Sequence, residues 1–197
     1  MADNLLINRR TSATLVMDFQ TLIVDNHAAG AEALLDRTAK LIDAARKAGM
    51  RVIYVVVGFR PGYPEVSDRN PTFNGLKASG ALAAGAENAK IHPAVAPLAD
   101  EVVVTKHRVS AFAGTDLDLI LRANGIETLI LTGIVTSGVV LSTLCHAADA
   151  DYRLLVVGDC CSDGDEEVHR VLLEKVFQWQ ATITTAEELE QVIGARR

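Results

Sequence analysis

Leu129-Ile130-Leu131-Thr132-Gly133-Ile134-Val135-Thr136-Ser137-Gly138-Val139 is the stretch that decides the fold. Its opening run is continuously apolar and β-branched, which reads as a strand buried on both faces. Gly133 and Gly138 bound a loop, and residues 137–150 then take up a helical pattern. A buried strand, a glycine-bounded loop and a helix together make one unit of an α/β protein.

Outward from this unit the same rhythm repeats. Residues 12–18 form a short apolar run ending in Asp18. Residues 31–48 carry Ala31, Leu34, Leu35, Ala39, Leu41, Ile42 and Ala45 at helical spacing, with Gly49 as a stop. Residues 52–57, 102–105 and 154–157 read as further strands buried on both faces. Helical patterns cover 116–123 and 166–179. A short strand at 181–184 precedes a terminal helix from about Ala186. The expected fold is an open, mostly parallel sheet with helices on both faces, in one domain spanning 1–197. In such sheets the site lies beyond the carboxyl ends of the strands, where strand order reverses. Residues 58–98 break the rhythm and hold all five prolines, as a lid, binding loop or oligomer contact would.

Composition narrows the classes. Hydrophobic residues make up 49% and charged residues 22%, ordinary values for a globular protein. The net charge of −6 supplies no footprint for nucleic acid. No apolar run approaches a membrane span, and the first ten residues hold no stretch long enough for a secretory signal. Cys145, Cys160 and Cys161 are odd in number and match no zinc spacing, so a reduced, cytoplasmic protein is expected.

Two charged residues stand at the ends of buried-looking strands. Asp18 can start a turn by bonding nearby amides, or act as an acid or base. Lys106 follows three valines, where a lysine either reaches back to water or pairs with a carboxylate. The loop from Gly133 to Gly138 can present amides to an oxyanion at the start of the next helix. It is not a Walker loop, because Val139-Val140 stands where Lys-Ser would be needed. No Gly-x-Gly-x-x-Gly follows the first strand, and the five histidines show no metal-binding spacing. Neither a cofactor nor a metal is expected.

With those residues in hand, the chain resembles the isochorismatase-like hydrolases, or cysteine hydrolases, from about Ser12 to Ile183. The resemblance rests on Asp18-Phe19-Gln20, on Lys106-His107-Arg108-Val109-Ser110-Ala111-Phe112, and on Gly133-Ile134-Val135-Thr136. Thr143, Ala147 and the Asp159 ending the next strand also fit. It implies a six-stranded, Rossmann-like three-layer sandwich, assembled as a homodimer or homotetramer and acting on a small molecule. It implies catalytic roles for Asp18 and Lys106, and a cis peptide before the motif threonine, between Val135 and Thr136. Phe19, Gln20, Arg60, Arg108, Phe112, Val135, Thr136, Ser137 and Gly138 are the candidates for contact with substrate.

The family's nucleophilic cysteine falls on Val139, which cannot attack a carbonyl. Cys145, six residues further along a helix, is turned roughly 240° away. True isochorismatases need no cysteine, since an aspartate protonates the enol carbon of a vinyl ether before water adds. The resemblance therefore implies a cysteine-independent hydrolase with Asp18 as general acid, Lys106 as its charge partner, and apolar Phe19 and Phe112 raising the carboxyl's pKa. Arg60 and Arg108 are candidates for holding a substrate carboxylate. Two alternatives stay open: an amide hydrolase using water or Ser137, and a non-catalytic binding or oligomerisation module on the same scaffold.

Overall fold

A computed structural model describes residues 7–28 and 30–194. The signal-peptide reading of the first ten residues therefore falls partly outside the described set. Six parallel strands run β1 (Ser12–Met17), β2 (Arg51–Val57), β3 (Val102–Lys106), β4 (Thr128–Ile134), β5 (Arg153–Ser162) and β6 (Thr182–Thr184). Their order in the sheet is β3-β2-β1-β4-β5-β6. The chain builds outward from β1 to β3, then restarts on the other side with β4. The reversal lies between β1 and β4, the crevice where such sheets place their sites.

Alternating side chains divide the core into two layers. On one face Val16, Val52, Tyr54 and Ile130 pack against α2 (Ala31–Lys47) and α7 (Ala186–Gly194). On the other, Leu15, Met17, Val55, Val104 and Leu131 pack against α4 (Leu117–Ala123), α5 (Leu141–Asp149) and the segment after α6 (Glu166–Val171). β1 and β4 are buried at every position, as central strands covered on both faces must be. Gly133 is forced by this closeness. A Cβ there would sit 3.1 Å from both the Met17 carbonyl and Val140 Cγ2.

Four expectations need correction. β3 is not buried on both faces: it is the sheet edge, with Val102 and Val103 38% and 43% exposed. β5 does not stop at Val157 but runs to Ser162, across a register shift against β4 that takes Cys160 and Cys161 into the core. Asp159 consequently lies within that strand, where its carboxylate accepts the Ala186 amide at 2.8 Å and starts α7. The helix read over 166–179 changes through a π-turn at Leu172–Val176 into a 3₁₀ turn. Two helices also went unseen: α1 (Thr21–His27) and α3 (Pro71–Ser79). The second belongs to the irregular region, which folds over β2 around Phe59, Tyr63, Val66, Phe73 and Leu82.

Candidate active site

β1 delivers Asp18 and β3 delivers Lys106 to the same edge of the sheet. Their charged atoms are 2.9 Å apart, although β2 lies between the strands. Two strand spacings come to roughly 10 Å, so the long lysine side chain must lie back across β2. Both residues are buried, Asp18 at 5% exposure and Lys106 at 2%. Lys106 Nζ also donates to the Arg108 carbonyl at 3.1 Å. Asp18 itself holds a positive φ of 59°, a conformation uncommon outside glycine and found disproportionately at functional positions.

The carboxylate is only half satisfied. Oδ2 receives Lys106, while the buried Oδ1 has no hydrogen-bond partner. Burial raises the Asp18 pKa, and Lys106 opposes the rise through its charge and hydrogen bond. The net direction is upward: this carboxyl holds its proton more tightly than an exposed aspartate. Phe19 and Phe112 do not flank it as a pair, because Phe19 packs in the α2 layer and Phe112 in the opposite one, stacked on His146.

The loop after β4 closes the crevice. The cis peptide lies between Ile134 and Val135, one bond earlier than expected. Thr136–Val140 form a π-turn leading into α5, with Val139 2% exposed in the core layer. The amides expected to face an oxyanion are largely engaged. Ser137 N donates to Asp163 Oδ2 at 2.7 Å, and the Gly138 and Val140 amides donate to the Val135 carbonyl. Sequence reasoning missed two residues here. His169 Nδ1 shares a 2.8 Å hydrogen bond with Thr136 Oγ1, and Asp163 holds Ser137. Both come from beyond β5, and neither has a local signal in the sequence. Burial lowers the His169 pKa, with Asp163 pulling the other way, so the imidazole favours its neutral form.

The remaining candidates are held elsewhere. Gln20 is buried and its amide is fully used: it donates to the Val57 and Ala89 carbonyls and accepts from Val57 N. Arg60 pairs with the Glu65 carboxylate, and Arg108 Nη1 donates to the Glu65 and His107 carbonyls. A cleft of about 660 Å³ contains Gln20, Arg60, His107, Val103 and Thr105 but neither Asp18 nor Lys106. Strand alternation explains the separation. Val103 and Thr105 point to the α2 side, while Val104 and Lys106 point to the other. Cys145 is exposed and Cys160 and Cys161 are buried, and burial pushes the Cys160 thiol up to about 12. No cluster of three potential metal ligands occurs among the described residues.

An aspartate and a lysine meeting at the β1–β4 switch, beside a loop with a cis peptide, can be set against known proteins. The isochorismatase domain model matches residues 12–188. This chain belongs to the isochorismatase family. It is 29% identical to the maleamate amidohydrolase of Pseudomonas putida over 92% of this chain and 86% of that protein. It is 34% identical to the isochorismatase of Bacillus subtilis, over 92% of this chain but 58% of that longer protein. A cysteine hydrolase structure from Pseudomonas syringae superposes with a TM-score of 0.86 at 25% identity, covering 95% of this chain and 94% of that one. Family members are hydrolases of small molecules. No described helix is long and apolar enough to cross a membrane.

Proposed function

We propose that this isochorismatase-family member hydrolyses a vinyl ether on a small carboxylated molecule, with Asp18 as general acid and no covalent intermediate. The buried Asp18–Lys106 pair, with Oδ1 unpartnered beside a loop that carries valine, is the observation that supports this reading. A carboxyl with a raised pKa and a free oxygen suits proton donation to carbon. In this mechanism Asp18 gives its proton to the terminal enol carbon, and the adjacent carbon becomes an oxocarbenium ion. Water adds to that carbon and returns a proton to the carboxylate. The hemiketal then collapses, breaking the ether C–O bond to release an alcohol and a 2-oxo acid. Lys106 steadies the carboxylate left after proton transfer.

The named activity of the Bacillus subtilis relative agrees with this chemistry, and Val139 offers none of the sulfur that a thioester route needs. Isochorismate is the first substrate to test. Pyruvate release, coupled to lactate dehydrogenase, is expected from the wild type and lost in Asp18→Ala. Equal release from both proteins would remove Asp18 from the mechanism. No release from either, with amide hydrolysis detected instead, would overturn the vinyl-ether reading.

A further inference from the structure

Lys106 Nζ has two acceptors, Asp18 Oδ2 at 2.9 Å and the Arg108 carbonyl at 3.1 Å. The first makes the charge pair. The second depends on how residues 107 and 108 are held once β3 has ended. Arg108 Nη1 donates to the His107 carbonyl at 2.6 Å and to the Glu65 carbonyl at 3.1 Å. His107 Nδ1 donates to the Gly58 carbonyl, and its Nε2 lies 4.0 Å from Glu65 Oε1. The segment after β2, residues 58–65, therefore supports the carbonyl that Lys106 uses.

Glu65 is the member of that support which packing does not explain. Its side chain is 10% exposed, while that of its partner Arg60 is 69% exposed. Oε1 receives Arg60 Nη1, and the buried Oε2 has no hydrogen-bond partner. An unmatched buried acceptor destabilises a fold. An apolar side chain would suit this place better, since Tyr63 and Val66 pack with Phe59 and Phe73. Burial pushes the Glu65 pKa up, but its own amide, Arg60 and His107 outweigh that and bring it below the ordinary value. It is a held carboxylate. The chain reaches it through a turn with positive φ at Gly62 and Tyr63, closed by Tyr63 N on the Arg60 carbonyl.

We propose that Glu65 is a positioning residue for the Asp18–Lys106 pair. Its carboxylate, gripped by Arg60, fixes the turn; the Glu65 carbonyl then fixes Arg108, and the Arg108 carbonyl fixes Lys106 Nζ against Asp18. This role rests on the reading of Asp18 and Lys106 as the catalytic pair.

Titration of the Asp18 carboxyl by ¹³C NMR tests it without any substrate, the resonance being the one lost in Asp18→Asn. Lys106 lowers the Asp18 pKa, so a loosened Lys106 raises the midpoint. Removing the Glu65 charge with Lys106 still in place would do the reverse, because a nearby negative charge is lost. Glu65→Ala is expected to raise the midpoint by about one unit. Arg108→Lys, an exposed change that keeps the charge but loses the guanidinium fork, is expected to raise it too. Glu65→Gln keeps an acceptor for Arg60 and is expected to stay close to wild type. With isochorismate, Glu65→Ala is expected to lower kcat by about tenfold and leave KM little changed. A wild type that releases no pyruvate would count against the vinyl-ether reading, while the titration still decides the role of Glu65. A midpoint unmoved or lowered in Glu65→Ala overturns the proposal. So does an unmoved midpoint in Arg108→Lys, which decides alone if Glu65→Ala does not fold, or a Glu65→Gln shift as large as that of Glu65→Ala.

Discussion

Removing Lys106 while keeping Asp18 is the most informative perturbation of the charge pair. At an effective dielectric of about 20, unit charges 2.9 Å apart attract by about 6 kcal/mol. Desolvating each ion costs several kcal/mol, so the net pair is close to neutral against an apolar replacement. Breaking it is different. Lys106→Met leaves a buried carboxylate with both oxygens unpartnered, and Asp18→Asn leaves a buried ammonium facing an amide. Each single variant is expected to lose about 3–5 kcal/mol. The double variant Asp18→Asn/Lys106→Met is expected within about 1 kcal/mol of wild type, or above it. The coupling energy is then at least about 5 kcal/mol in magnitude. Urea denaturation at pH 5 to 8 measures it. The pH dependence has a definite sign. Asp18 titrates above its ordinary value when folded, so the native state holds the proton more tightly than the unfolded chain, and stability falls as pH rises through that window. Lys106→Met removes the opposing charge, widens the window upward, and steepens the loss toward about 1.4 kcal/mol per pH unit. A double variant that loses as much as the two singles together, or a Lys106→Met loss independent of pH, would refute this account.

Three further outcomes follow from the same geometry. V139C would place a thiol at the position that the resemblance assigns to a nucleophile; a near-isosteric change, it is expected to cost less than about 1.5 kcal/mol, and mass spectrometry with a small electrophile should find an adduct at residue 139 that D18A/V139C lacks or forms more slowly. His169→Gln is expected to lose about 1 kcal/mol with the Thr136 contact. Because burial lowers the His169 pKa, wild-type stability falls as pH drops from the ordinary histidine value through the lowered one, and melting curves of the glutamine variant should lack that slope. Titration with a thiol reagent should modify Cys145 alone in the native protein and all three cysteines after denaturation, since Cys160 and Cys161 are buried with raised pKa values.

The strands and most helices were legible because each is a local pattern. Residues 129–132 and 52–57 read as buried strands from their apolar runs, and the 31–48 helix from its spacing; the structure places β4, β2 and α2 there. The candidate pair was legible for the same reason, since a charge ending an apolar run stands out. Phe19 and Phe112 look alike in sequence yet lie in opposite layers, because layer membership depends on strand alternation and crossover. Val102-Val103 reads like any buried strand, and only sheet order makes it an edge. Gln20 looks available for substrate until the backbone of β2 and of Ala89 takes up its amide.

What the sequence by itself determined is therefore the α/β class and the family, with Asp18 and Lys106 as a candidate pair. Each is carried by residue type and short-range spacing, which the chain states directly. The tertiary structure alone decided that Asp18 and Lys106 share a 2.9 Å contact, that one carboxylate oxygen is left without a partner, and that His169 and Asp163 hold the loop after β4. Those facts join residues from separate strands and helices. Their proximity is set by strand order, crossover and burial of the whole sheet, none of which has a local signature.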